Sequence, residues 1–353
     1  MNAVEAVLSK AVEGERISDA ECLALFEGAR LLELGLAADA VCRRLHPEPY
    51  RTYVVDRNIN YTNICVSKCR FCAFYRDADS PDAYLLTDED VHGKIEEAVG
   101  LGATQILMQG GLHPALDIAY YERLVRGIKA RFDVDLHSFS PPEIVHIAHI
   151  SGLSVQDTIS RLKAAGLDSI PGGGAEILAE NVRSAVSPRK CTASEWLQVM
   201  ETAHRLGMRT TATMMFGEGE TFADRVEHLS SIRELQGRTG GFTAFIPWTF
   251  QPANTDLGGQ SVGGYDYLRT LAISRVYLDN VPNIQASWVT QGDKIGQIAL
   301  HFGASDLGST MIEENVVAAA GVSFRMTESE IRRAIEDAGF VARKRDTYYR
   351  LLE

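Results

Sequence analysis

No run of about eighteen consecutive apolar residues occurs in this chain, so no segment reads as a membrane-spanning helix. The first residues, MNAVEAVLSKAVEGER, set Glu and Lys among the apolar positions and form no signal-type hydrophobic core, which predicts a cytoplasmic protein. Basic charge is in deficit: 35 Lys and Arg stand against 47 Asp and Glu, a formal charge of −12. Such acidity argues against nucleic acid or an anionic membrane as the main partner. No Pro- or Ser-rich linker and no low-complexity run divides the chain. Six cysteines, half of them crowded together, do not make a disulfide framework. What is there is 45% hydrophobic and 23% charged residues over 353 positions, the balance of a globular protein that buries its own core.

Two periodicities organise that content. From residue 1 to about 48, apolar residues recur at helical spacing: Val4, Val7, Leu8 and Val12, then Leu23, Leu25, Phe26, Ala29 and Leu32. From Tyr53 onward short β-branched runs alternate with amphipathic segments. The pattern predicts strands at 53–60, 103–108, 133–139, 167–170, 209–215, 242–247, 283–289 and near 304–307. A Ser or Thr followed three residues later by an acid marks helix starts at Thr87/Asp90, Ser154/Asp157, Thr192/Glu195, Thr221/Asp224 and Thr327/Glu330. Repeated βα units of this number fit an α/β fold, a (β/α)8 TIM-like barrel whose reactive face lies at the carboxyl ends of the strands. A doubly wound open sheet is the competing arrangement. The expected organisation is an N-terminal helical segment over 1–50 packed on a barrel over 51–320. A small C-terminal α/β cover over 321–353 then holds a strand at VSFRM, a capped helix and the basic run ARKR.

Cys65-Val-Ser-Lys-Cys69-Arg-Phe-Cys72 follows the first expected strand directly. Three thiolates on one loop can each hold one iron of a [4Fe–4S] cube and leave the fourth iron open to a substrate or cofactor. A zinc-binding module is the alternative, but zinc sites favour CxxC pairs and no second pair completes four ligands. Cys22, Cys42 and Cys191 stand alone in helical or capping contexts and read as small buried hydrophobes.

CxxxCxxC with an aromatic, Phe71, before its last cysteine, on the first loop of a βα barrel, resembles the radical S-adenosylmethionine (SAM) superfamily. The resemblance implies a barrel of the radical SAM type and two cofactors, a [4Fe–4S] cluster on Cys65, Cys69 and Cys72 and S-adenosyl-L-methionine. It also implies a reductant such as flavodoxin or ferredoxin. Gln109-Gly110-Gly111 stands where the superfamily usually carries Gly-Gly-Glu for the methionine amino group; the Glu is missing, which leaves backbone carbonyls or Gln109 for that task. Glu176, after three glycines, stands where relatives set a carboxylate on the ribose hydroxyls, and it equally suits the first turn of a helix. Lys190 or Arg189 would meet the methionine carboxylate. Gly217 and Glu220, in Gly217-Glu218-Gly219-Glu220, resemble the motif that packs against adenine.

A narrower resemblance spans most of the chain. Its carriers include Asn58-Ile59-Asn60-Tyr61-Thr62-Asn63, His137-Ser138-Phe139-Ser140-Pro141-Pro142-Glu143, Phe242-Thr243-Ala244-Phe245-Ile246-Pro247-Trp248 and Gln285-Ala286-Ser287-Trp288-Val289. These runs resemble the dehypoxanthine futalosine cyclases of the futalosine route to menaquinone. The family implies a small nucleoside-like substrate from which a 5′-deoxyadenosyl radical takes the ribose 4′ hydrogen. The carbon radical then attacks the attached benzoate ring, and a proton and an electron leave. Aminofutalosine synthase and the deazaflavin synthase subunits, which join two substrates, are the runner-up. The proton needs a base at a strand end, for which the candidates are His137, Glu143 and Asp168. Arg57 and Arg76 offer fork-like donors to the benzoate carboxylate. Tyr75, Ser287 and Asp306 complete the expected substrate contacts.

Overall fold

The computed structural model describes residues 3–322 and 324–352. Its strands are β1 (Tyr50–Val54), β2 (Asp56–Ile59), β3 (Gln105–Met108), β4 (Asp135–Ser138), β5 (Ser169–Ile170), β6 (Arg209–Phe216), β7 (Phe242–Thr249), β8 (Asn283–Ile284), β9 (Asp306–Ser309) and β10 (Val341–Lys344). One parallel sheet runs β2-β3-β4-β5-β6-β7-β8, and a second runs β10-β1-β9. β1 and β2 are two parts of a single run. The first part pairs with β9, Thr52 opposite Asp306, and the second with β3. On its other side β9 meets the end of β8 through a Gln285–Asp306 bridge, where the Ala286 N–H donates to the Asp306 carbonyl at 2.9 Å. The sheet therefore curls until its ends meet at β9, a TIM-like barrel and not an open sheet.

Capping chemistry fixes the outer helices. Thr87, Ser154, Thr192, Thr221 and Thr327 each accept the backbone N–H of the acid three residues on. The helices Ala3–Val12, Asp19–Gly28 and Leu31–Leu45 lie against Phe222–Thr239 and Gly264–Tyr277, outside the barrel. Arg233 donates to Asp19 at 3.1 Å across that contact.

Strand alternation sorts polar from apolar side chains. Ile59, Ile106, Met108, Ala212 and Met214 are fully buried beneath the helices. Their neighbours at period two, Asp56 and Asn58, Gln105 and Leu107, Thr211 and Thr213, line the central cavity. A barrel filled by branched aliphatics would be solid. This one is hollow, and polar side chains are set among apolar ones along its wall.

Two expectations need correction. The strand expected over 283–289 ends at Ile284. The Ser287 N–H then donates to the Tyr267 hydroxyl at 2.7 Å and Trp288 Nε1 to the Ser309 carbonyl at 3.1 Å, which turns the chain into a short helix, Trp288–Gln291. Val322 and Phe324–Met326 lie in no strand, and Ser323 is outside the described residues. The C-terminal strand is Val341–Lys344, because its backbone finds an edge beside β1, Tyr50 opposite Val341. Residues 345–349 then cross the amino end of the barrel, where Thr347 donates to Gln105 at 2.6 Å and Tyr349 to Gln285 at 3.3 Å.

Candidate active site

A cavity of about 370 Å³ runs from the cysteine loop into the barrel. The loop is tied down at several points: the Cys65 N–H donates to the Arg76 carbonyl at 3.1 Å, Val66 to Leu112 at 3.0 Å and Arg70 to Val186 at 2.9 Å. Gly111 permits this seat, since a Cβ there would stand 2.2 Å from the Ile64 carbonyl oxygen. Cys65, Cys69 and Cys72 all line the cavity. Among the described residues no three His, Cys, Asp or Glu side chains converge as one metal ion requires. Three thiols that line one cavity suit a polynuclear centre in which each meets a different iron. The donor set fits a [4Fe–4S] cluster held by Cys65, Cys69 and Cys72.

Beside the thiols, Lys190 forms an ion pair with the buried Glu176 and stands 4.9 Å from the centre of the Phe71 ring. Glu176 has a left-handed backbone, φ +42°, which turns its side chain out of any helix and into the cavity. Gln109, Gly110 and Gly111 line the same wall. Arg189 is exposed and lies off the cavity, so Lys190 is the cation present there. Gly217 and Glu220 also lie outside the lining. Glu220 accepts from the Gly217 and Glu218 N–H groups at 2.8 and 2.9 Å and pairs with Arg225 at 2.8 Å, which makes it the brace of its loop.

The three candidate bases differ sharply. Glu143 is buried, takes hydrogen bonds from the Tyr61 hydroxyl (2.8 Å), the Gly110 N–H (3.0 Å) and the Ser140 N–H (2.8 Å), and receives the Ser140 hydroxyl as well. Burial raises its carboxyl above the ordinary range against the pull of those donors. With its lone pairs committed, it positions the Gly110 turn. His137 lines the cavity, and Ser169, which donates to the Arg209 carbonyl, can only accept from Nδ1 at 2.8 Å. The ring is thereby assigned as the Nδ1–H tautomer, with the Nε2 lone pair 3.3 Å from the Thr211 hydroxyl. Burial, aided by Arg345, pushes its pKa down to about 3, so the imidazole is neutral. Asp168 precedes β5 at the opposite end of the barrel, where it takes Lys129 at 2.9 Å and the Leu136 N–H at 2.8 Å.

Tyr75 and Ser287 line the cavity; Arg57, Arg76 and Asp306 do not. Arg57 is held by Glu97 at 2.7 Å and Glu313 at 2.6 Å. Arg76 pairs with Asp82 and donates to the carbonyls of Ala73, Phe74 and Tyr75, stapling the cysteine loop. Asp306 is spent on Arg345. The sequence reading missed Asp56, Asn58, Glu314 and Arg345, all of which line the cavity. The polar residues at period two in Asp56-Arg57-Asn58-Ile59-Asn60 were the signal for the first two. Burial raises the Glu314 carboxyl.

A barrel that carries three lumen-facing thiols on its first loop defines the class, and a family model described as the Radical SAM superfamily matches residues 59–232. The chain belongs to this superfamily, whose members use a [4Fe–4S] cluster and S-adenosylmethionine. The CofH/MqnC C-terminal region matches residues 239–353. Cyclic dehypoxanthine futalosine synthase of Halalkalibacterium halodurans is 46% identical over 351 residues, 99% of this chain and 95% of its own. Its counterpart in Streptomyces coelicolor is 48% identical over 351 residues, 98% of this chain and 88% of its own. Within the superfamily the chain belongs to the family of these enzymes. An Archaeoglobus fulgidus 5-amino-6-(D-ribitylamino)uracil–L-tyrosine 4-hydroxyphenyl transferase is 43% identical over 311 residues, 86% of this chain and 89% of its own. The FeFe-hydrogenase maturase HydG of Carboxydothermus hydrogenoformans shares the fold, with TM-score 0.77 at 17% identity over 98% of this chain and 80% of its own.

Proposed function

We propose that this chain closes a ring within dehypoxanthine futalosine, forming a carbon–carbon bond from the ribose 4′ carbon to the benzoate ring. The observation that carries the reading is 46–48% identity to two cyclic dehypoxanthine futalosine synthases over 98–99% of this chain. We place it in the cytoplasm, with flavodoxin or ferredoxin as reductant.

Cys65, Cys69 and Cys72 would hold the cluster, and Glu176, Lys190, Phe71 and the Gln109–Gly111 wall would hold S-adenosylmethionine beside it. When bound, that pair would supply a 5′-deoxyadenosyl radical able to take the 4′ hydrogen. The protein's share is placement. Glu143 fixes the Gly110 turn, Trp288 is locked by its bond to Ser309, and the segment 345–349 shuts the far end against water. Of the three groups read as bases, His137 alone presents a lone pair inside the chamber, and Tyr75 and Ser287 remain as substrate contacts.

The test is anaerobic incubation of reconstituted, reduced protein with S-adenosylmethionine and dehypoxanthine futalosine, read by mass spectrometry. 5′-Deoxyadenosine together with the cyclised product is expected. Deoxyadenosine without that product would move the substrate to a sibling enzyme, and a joined product of two substrates would favour the transferase activity. Glu176→Gln should weaken S-adenosylmethionine binding by about tenfold, the size of one charge-assisted hydrogen bond, with iron content unchanged. Equal affinity by equilibrium dialysis would leave Glu176 only its bond to Lys190.

A further inference from the structure

Glu314 lies at the carboxyl-end rim, on the stretch after β9, and lines the cavity. Its neighbour Glu313 is engaged by Arg57 and Lys94 at 2.6 and 2.8 Å. Among the described residues no cation pairs with Glu314. Its Oε1 accepts the N–H groups of Val316 and Val317 at 2.7 and 3.0 Å, and Oε2 accepts Asn58 Nδ2 at 2.8 Å. A carboxylate has about four lone-pair sites, so accepting capacity is left on a side chain that borders the chamber. The other acids of the lining are committed: Asp56 to Ser309 and Gln105, Glu143 to Tyr61, Gly110 and Ser140, Glu176 to Lys190.

Position adds direction. Asn315, next in the chain, donates to Asn60 at 3.2 Å, and Asn60 donates to the Gln109 carbonyl at 3.2 Å, so this rim adjoins the wall beside the cysteines. Two cations border the cavity among the described residues, Lys190, paired with Glu176, and Arg345 at the barrel's amino end. An uncompensated carboxylate at the rim attracts hydroxyl donors and repels another carboxylate.

We propose that Glu314 accepts the hydroxyl hydrogens of the substrate's sugar, and so holds the sugar at the rim beside the cysteine loop with the benzoate carboxylate turned toward the barrel's amino end. The inference rests on the cyclase reading and names the part of the site that recognises the sugar.

Its test compares binding of dehypoxanthine futalosine and of an analogue with the ribose hydroxyls replaced by hydrogen. Cluster-reconstituted, unreduced enzyme with S-adenosylmethionine is used, as wild type and as Glu314→Gln. Wild type should prefer the hydroxylated ligand by about ten- to hundredfold, the range for hydrogen bonds to a charged acceptor. Glu314→Gln should erase most of that preference and leave affinity for the analogue unchanged. The variant keeps its loop, because Asn58 Oδ1 has no donor and can turn to serve the new amide. An undiminished preference in Glu314→Gln would overturn the proposal. A wild-type enzyme that binds neither ligand would overturn the cyclase reading, which the variant comparison does not test.

Discussion

Cys69→Ser is expected to give a folded protein that carries no iron and makes no 5′-deoxyadenosine. A serine hydroxyl stays protonated at neutral pH and replaces one of three anionic sulfur ligands with a neutral oxygen, so one iron of the cube loses its anchor. Cys69 is buried on the loop with Ser67 Oγ 3.2 Å from its sulfur, and no helix or strand depends on it. Unfolding behaviour should therefore stay near wild type while the visible charge-transfer absorbance, the iron content and turnover vanish together. Cys191→Ser is the control: that thiol lies near Arg183 and outside the cavity, and its loss should leave iron and product formation intact. Full turnover by Cys69→Ser would remove the basis for reading the loop as a cluster site.

The barrel was legible because its signals are local. β-branched runs bounded by Thr and Ser caps need no knowledge of distant residues, and Thr87, Thr192, Thr221 and Thr327 each close the capping box their spacing announced. The cysteine loop was legible for the same reason, since its three thiols lie within a single turn-rich segment. Partnership across the fold was not. Arg57 looked like a free fork for a carboxylate until Glu97 and Glu313, from two other segments, closed on it. Asp168 looked catalytic from its place beside a strand, yet it lies at the end away from the reactive face and is held by Lys129. Glu314 carries no local signal at all: it follows Glu313 in the chain, and only the placement of Arg57, Lys94 and Asn58 assigns one to the ion pairs and the other to the cavity. The C-terminal strand went to Val341–Lys344 and not to VSFRM because an open edge on β1 decides pairing, and no periodicity in the sequence records that edge.

Asp306→Ala should destabilise the protein by about 3–5 kcal/mol, the range for leaving one member of a buried ion pair uncompensated. Asp306 is fully buried, and its two oxygens receive Arg345 Nε at 2.6 Å and Nη2 at 3.0 Å, the Thr52 hydroxyl at 2.6 Å and the Gly308 N–H at 2.8 Å. Without the carboxylate, the Arg345 guanidinium keeps the Asp346 carbonyl at 3.0 Å and a long bond to Gln285 at 3.4 Å, but no hydrogen-bonded anion. Arg345 opens the segment that shuts the amino end of the barrel, so loosening it also weakens the bonds of Thr347 to Gln105 and Tyr349 to Gln285. Arg345→Met alone strands the opposite charge. The double variant buries neither ion and should regain most of the loss, because replacing a buried pair by apolar groups is often close to neutral. Urea unfolding of the four proteins measures the coupling directly. Strictly additive single losses, or single losses under about 1 kcal/mol as at an exposed pair, would show that the charges do not seal the chamber. Iron content should not change in any of them, since the pair sits at the end of the barrel opposite the cysteine loop, and that separates a failing floor from a failing cluster site.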